Sequence, residues 1–173
     1  PMLDEILAKK IRLIDYEKIT DSQNKRLVAF GKFAGNAGAI DFLHGIGKYF
    51  INLAYSTPFL NVSFTYSYPH LEKAKSVLKE VCEPISDEGI PEDFAPLIFG
   101  ITGRGRCAEG VAEILDCLPV KYVDPDELPG LVADCKNPAH RSVIYVTYFE
   151  SQHMVKPKDP SKSFDKKDYY SNT

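Results

Sequence analysis

The chain has 173 residues, 44% of them apolar and 26% charged, which is enough apolar material to build a real core in one domain or in parts of two. A formal net charge of −3 and a pI near 5.8 provide no basic field for a polyanion, which excludes nucleic acid as the main partner. No run approaches the roughly 20 apolar residues of a membrane helix, and the first residues lack a signal-peptide pattern, so no membrane partner is expected.

The chain opens at Pro1 with Met2 behind it, as expected of a piece cut from something longer. Cys82, Cys107, Cys117 and Cys135 have neither paired zinc-ligand spacing nor the density of a disulfide scaffold. They are expected to be reduced thiols, mostly buried, and no metal is expected.

Leu3, Ile6 and Leu7 share one face of a predicted short helix, with Lys9 and Lys10 at its end. A polar loop is predicted from Thr20 to Asn24, followed by a buried strand over Leu27 to Phe30. From 37 to 55, Ile40, Leu43, Ile46, Phe50, Ile51 and Leu53 recur near helical spacing, although Gly31, Gly35, Gly38, Gly45 and Gly47 punctuate this region. So many glycines imply close backbone approach.

Ser56 to Tyr68 reads as an aromatic, turn-containing connection. Pro69 suits the first turn of a helix whose apolar face is Leu71, Ala74, Val77, Leu78 and Val81, with Lys73, Lys75 and Lys79 as solubilising charges opposite. After a loop over 87–93 come a buried strand at Ala95 to Phe99, a glycine turn, a helix carrying Val111, Ile114 and Leu115, and a strand from Val120 to Val123. This is the start of a parallel α/β unit. Ser142 to Phe149 is a further strand, and the polar tail beyond Met154 is expected to be disordered.

The chemistry concentrates in residues 100–110, where Gly103-x-Gly105-x-x-Ala108 lies between a predicted strand and a predicted helix. Gly103 allows a tight turn, Gly105 lets the backbone approach a pyrophosphate, and Ala108 keeps helix and strand close. Unpaired N–H groups at the helix start favour the anion. Asp124, 21 residues after Gly103, stands where a carboxylate accepts bonds from ribose hydroxyls. Arg104 and Arg106 are either surface charges or, protruding from the phosphate-facing turn, ligands for a 2′-phosphate that Asp124 alone would repel. A purely structural glycine turn is the competing reading. His44, His70, His140 and His153 are scattered and are expected to be structural or surface residues, and no catalytic set can be picked out.

Residues 3–7 and 11–17, then 28–35, 40–47, Ser56-Thr57-Pro58-Phe59 and Tyr122-Val123-Asp124-Pro125, resemble the reductase half of the bifunctional α-aminoadipic semialdehyde synthases, with the animal form as the nearest likeness. The resemblance implies an α/β fold: a partial Rossmann-type parallel sheet of alanine-dehydrogenase-like kind, with the end of a substrate domain and connecting helices. The expected divisions are residues 1–36 for the end of the substrate domain, 37–92 for connecting helices, 93–155 for a partial Rossmann nucleotide-binding domain and 156–173 for a polar tail.

The resemblance further implies an NADP(H)-dependent oxidoreductase segment, in an enzyme that joins lysine to 2-oxoglutarate as saccharopine in the mitochondrial matrix. The candidate cofactor-binding residues are Gly100, Thr102, Gly103, Arg104, Gly105, Arg106 and Asp124, and the strand 144–149 with its following loop would approach the nicotinamide side. Arg104, Arg106 and Cys107 make this turn bulkier and more basic than the family's usual Thr- and Asn/Ser-rich one. The family's proton-transfer segment would precede Pro1 and its remaining strands would follow Thr173, so an open sheet edge and an inactive isolated chain are expected. A non-catalytic nucleotide-binding or oligomerisation module is the alternative function, with a homo-oligomer allowed.

Overall fold

The structure, a computed structural model, describes residues 1–171. It divides into two compact units, residues 1–30 and the described residues from 31 onward.

In the first unit, helix α1 (Met2–Ala8) forms as its apolar spacing predicts and closes on Lys9. Asp15 then caps a 3-10 turn at Tyr16–Lys18. The polar loop is a tight turn in which Asp21 Oδ1 accepts from the N–H groups of Gln23 and Lys25, each at 2.9 Å. It is closed by an antiparallel bridge between Thr20 and Arg26. The strand expected at Leu27 to Phe30 is absent: Leu27 is 62% and Phe30 60% exposed. The pairing at the Thr20–Arg26 bridge is made by the Asp21 N–H to Lys25 C=O and Leu27 N–H to Ile19 C=O bonds, and the Phe30 ring packs edge-on against Tyr16 instead.

The second unit is organised by helix α2 (Gly31–Asn52), which starts six residues before the expected point, so the expected 36/37 division falls inside it. Its buried residues Gly35, Asn36, Ala39, Ile40, Leu43, Gly47 and Phe50 follow one helical face. The glycines divide by position. A Cβ on Gly35 would lie 2.0 Å from the Cys107 carbonyl oxygen, and one on Gly47 would lie 2.4 Å from the Phe59 carbonyl. Gly38 and Gly45, in contrast, face open space, so close approach explains Gly35 and Gly47 but not these two.

The aromatic connection forms 3-10 turns at Pro58–Asn61 and Thr65–Ser67, and Phe59 is fully buried beneath α2. Helix α3 (Leu71–Cys82) buries Ala74, Leu78 and Cys82. Its N-cap is His70, whose Nδ1 accepts from Lys73 N–H, so Pro69 precedes the helix rather than occupying its first turn. A short helix α4 (Pro84–Asp87) leads into the expected loop, whose end forms a 3-10 turn at Glu92–Phe94.

Three parallel strands follow: β1 (Leu97–Thr102), β2 (Val120–Tyr122) and β3 (Ile144–Phe149). Helix α5 (Arg106–Leu115) joins β1 to β2, and α6 (Leu128–Ala133) lies between β2 and β3. The strand order is β1-β3-β2, with Ile144 opposite both Leu97 and Val120. In the usual doubly wound order the first two strands are neighbours; here β3 separates them. Ile144, Tyr145, Val146 and Thr147 are all buried, so this strand is covered on both faces and suits the centre, whereas β1 alternates buried Phe99 and Ile101 with exposed Gly100 and Thr102.

Beyond β3 come α7 (Ser151–Met154) and, in the tail expected to be disordered, α8 (Lys166–Ser171). The Asp165 carboxylate starts α8 by accepting from the N–H groups of Lys167 and Asp168. Cys82 and Cys117 are buried while Cys107 and Cys135 are exposed, so burial holds for two of the four thiols. Burial, and next the neighbouring Cys117, pushes the Cys82 thiol up to about 12. Among the described residues no helix is long and apolar enough to cross a membrane.

The glycine division makes a direct prediction. Gly35→Ala and Gly47→Ala should each destabilise the chain by about 1–3 kcal/mol through backbone overlap. Gly38→Ala and Gly45→Ala should each stabilise it by about 0.5–1 kcal/mol through helix propensity. Urea unfolding of the four variants measures this, and equal effects at all four positions would contradict the assigned packing.

Candidate nucleotide-binding cleft

The glycine turn is set by its backbone. Gly103 has φ +80°, a left-handed conformation that side chains disfavour, and its N–H donates to the Phe149 carbonyl at 2.8 Å. This bond ties the end of β1 to the end of β3. Gly105 is extended at the N-cap of α5, and a Cβ there would meet nothing within 4 Å, leaving its backbone open to a ligand. Ala108 is buried in the first turn of α5.

The closest packing of α5 is against α2 rather than the sheet. A Cβ on Gly110 would lie 2.1 Å from the Lys32 carbonyl oxygen, and one on Gly35 would lie 3.1 Å from Gly110 Cα. Asn36, buried at this crossing, donates through Nδ2 to the Gly110 carbonyl at 2.9 Å and to Glu113 at 3.2 Å.

Glu113 also receives Lys75 Nζ on Oε1 and Lys32 Nζ on Oε2, each at 3.0 Å. Hydrogen bonds from Lys75, then Lys32 and Asn36, hold its carboxyl down to about 2. Lys75, expected as a solubilising charge, is instead half-buried and joins α3 to α5.

The candidate cofactor residues separate in space. A cleft of about 290 Å³ at the C-terminal ends of the strands is lined by Arg104, Tyr122, Val123, Asp124, Glu127 and Tyr148. Arg104, within the Gly103–Gly105 turn, and Asp124 therefore both line it. Gly100 lies within β1 with the Phe149 ring at 3.0 Å from its would-be Cβ, and Thr102 is exposed at the strand end. Arg106 begins α5 with its Cβ 3.1 Å from the position a Cβ would take on Gly31, so it stands at the start of α2 and does not line the cleft with Arg104.

Arg104 Nε donates to Glu150 Oε1 at 2.8 Å, and its guanidinium lies 4.3 Å above the Tyr148 ring. Tyr148 stacks on Tyr122, with ring centroids 5.9 Å apart. The Tyr122 hydroxyl donates to Asp116 at 2.8 Å, and burial first, then this bond, raises its pKa. Glu127 Oε2 accepts from Asp124 N–H at 2.8 Å, which fixes the turn that carries Asp124.

Tyr122 and Glu127 were not among the sequence candidates, and Tyr148 and Glu150, within the strand and loop expected near the nicotinamide, were not singled out and stand instead beside Arg104. Glu127 has a signal in the Asp-x-x-Glu capping pattern, and Glu150 follows a strand whose C-terminal end faces the crevice. The tyrosines have none, because the side of the sheet they share depends on strand order. The four histidines each make a local structural contact: His44 with the Val62 carbonyl, His70 and His153 at helix starts, and buried His140 with the Tyr145 hydroxyl.

Parallel strands, a glycine turn leading into a helix and a cleft at the strand ends make this an α/β unit with a small open parallel sheet, consistent with a partial Rossmann-like fold. No family model matches the chain. Over 99% of its length it is 44% identical to the alpha-aminoadipic semialdehyde synthase of Arabidopsis thaliana, and over 91% it is 37% and 36% identical to the mitochondrial enzymes of that name from Bos taurus and Mus musculus. The chain is thus similar over nearly its whole length to a segment of these synthases, and it spans 17% of their length. The identity to the plant protein exceeds that to the mammalian ones, which corrects the expectation of an animal-type sequence.

Glu113 gives a test of what seats α5. Its folded pKa is depressed, so the stability it contributes is present above the ordinary carboxylate value of 4.5 and is lost as pH falls through about 2. Glu113→Gln should therefore lower the urea midpoint at pH 7, and the gap from the parent should close between pH 4.5 and about 2. A gap independent of pH would show that the carboxylate charge is not what matters.

Proposed function

We propose that this chain is the nucleotide-binding segment of an NADPH-dependent lysine–ketoglutarate reductase, working in lysine breakdown within a larger enzyme. The observation that carries the reading is that Arg104, from the glycine turn after β1, and Asp124, after β2, line one cleft at the C-terminal ends of the parallel strands. The names of the relatives support the enzyme class, and those of the bovine and mouse proteins support a mitochondrial setting.

In this reading the chain's own residues bind and orient. The open backbone at Gly105 and the first N–H groups of α5 receive the pyrophosphate. Asp124, on a turn braced by Glu127, accepts from the adenosine ribose. Arg104 stands across the cleft as its cation, suited to a 2′-phosphate. When bound, NADPH supplies the hydride that reduces the imine of lysine and 2-oxoglutarate. The acid–base chemistry and the binding of both substrates are assigned to other parts of the full-length enzyme.

Titration of the folded chain with NADPH and NADH, followed by reduced-nicotinamide fluorescence, should give saturable binding that favours NADPH. Replacing Arg104 with Ser should weaken NADPH more than NADH, and no binding by a cooperatively folded chain would overturn the reading. Lysine, 2-oxoglutarate and NADPH together should yield no saccharopine with this chain alone, and measurable turnover would place catalytic residues within it.

A further inference from the structure

The cleft holds a contact that competes with the ligand proposed for it, an inference that rests on the nucleotide-binding reading above. Among the described residues that line the cleft, Arg104 is the cation, while Asp124 and Glu127 are carboxylates. The Nε edge of Arg104 is already engaged: Nε donates to Glu150 Oε1 at 2.8 Å, and the guanidinium carbon lies 4.3 Å from the Tyr148 ring centroid. Glu150 is itself placed by a local turn, since its backbone N–H donates to His153 Nδ1 at 3.0 Å at the start of α7.

We propose that Glu150 is an intramolecular competitor for the ribose phosphate, and that it thereby sets the preference between 2′-phosphorylated and unphosphorylated nucleotides. A ribose seated against Asp124 brings its 2′ position to the side of the cleft where Arg104 lies. A 2′-phosphate there is a dianion that must overcome Asp124 and Glu127, and the guanidinium is the group able to receive it in a forked geometry. For a phosphate received on the side-on edge formed by Nε and one terminal nitrogen, Nε must leave Glu150. A nucleotide with a free 2′-hydroxyl makes no such demand, because Asp124 takes that hydroxyl directly. Glu150 therefore weakens the phosphorylated ligand selectively. The Arg104–Glu150 pair is exposed, with side chains 59% and 41% accessible, so its release costs little and the effect is small.

The experiment is a set of NADPH and NADH titrations of the parent chain, Glu150→Gln, Arg104→Ser and the double variant, each checked for cooperative thermal unfolding. Glu150→Gln should tighten NADPH by roughly two- to fivefold, as expected for loss of an exposed ion pair, with NADH unchanged. In the Arg104→Ser background the same substitution should have no effect. If Glu150→Gln leaves NADPH unchanged or weakens it, or tightens both nucleotides alike, the competition does not exist. A gain that persists without Arg104 would mark general removal of negative charge and would equally overturn it. Should Glu150→Gln fail to fold, Glu150→Ser keeps a helix-capping side chain and carries the same expectations. A folded parent chain that binds neither nucleotide would instead fail the nucleotide-binding reading itself.

Discussion

The crossing of α2 and α5 at Gly35 and Gly110 is the constraint on which the site depends. Each glycine sits where a Cβ would overlap the backbone of the opposite helix, so the two helices approach to a distance that alanine does not allow. Because α5 begins at Gly105, directly beyond β1, its seating on α2 also determines where its first turn points. A shift of the crossing would carry the Gly103–Gly105 turn with it.

Polar groups reinforce this crossing. Asn36 is buried and reaches the Gly110 carbonyl, and the Glu113 carboxylate gathers Asn36, Lys32 and Lys75 from two other helices. Ion pairs of this half-buried kind are worth more than isolated surface pairs, because several donors share one anion and water reaches them less. Apolar packing fills the space around them: Ile40, Leu43 and Phe50 of α2 meet Phe59, Leu78 and Ile114 in a common core.

The cleft has a different character. Its cation is neutralised by Glu150 and stacked on an aromatic ring, and further carboxylates line the wall. Such an arrangement favours ligands that bring hydroxyl donors to Asp124 and discriminates among phosphates by how well they displace a carboxylate from Arg104. The sheet itself is open, with β1 and β2 at its two sides and the buried β3 between them. The synthases it resembles are far longer, the chain spanning 17% of their length, and open sides of this kind are where further strands can add.

The sequence by itself determined the local elements. The 3.6-residue recurrence of Ile40, Leu43 and Phe50 specifies α2, the strand–glycine–helix run specifies β1, the turn and α5, and the β-branched stretch 142–149 specifies β3, because each depends on periodicity or on a turn residue close in the chain. The resemblance in residues 3–17, 56–59 and 122–125 likewise rests on local identity. Leu27 to Phe30 shows where such reading stops, since a run with strand-like composition becomes a strand only if a partner edge is present. The placing of β3 between β1 and β2, the parting of Arg104 from Arg106, the engagement of Arg104 by Glu150 and the division of the α2 glycines into packed and open ones were decided by the tertiary structure. Each pairs residues distant in the chain, and which of them meet is set by how whole helices and strands bury their apolar faces together.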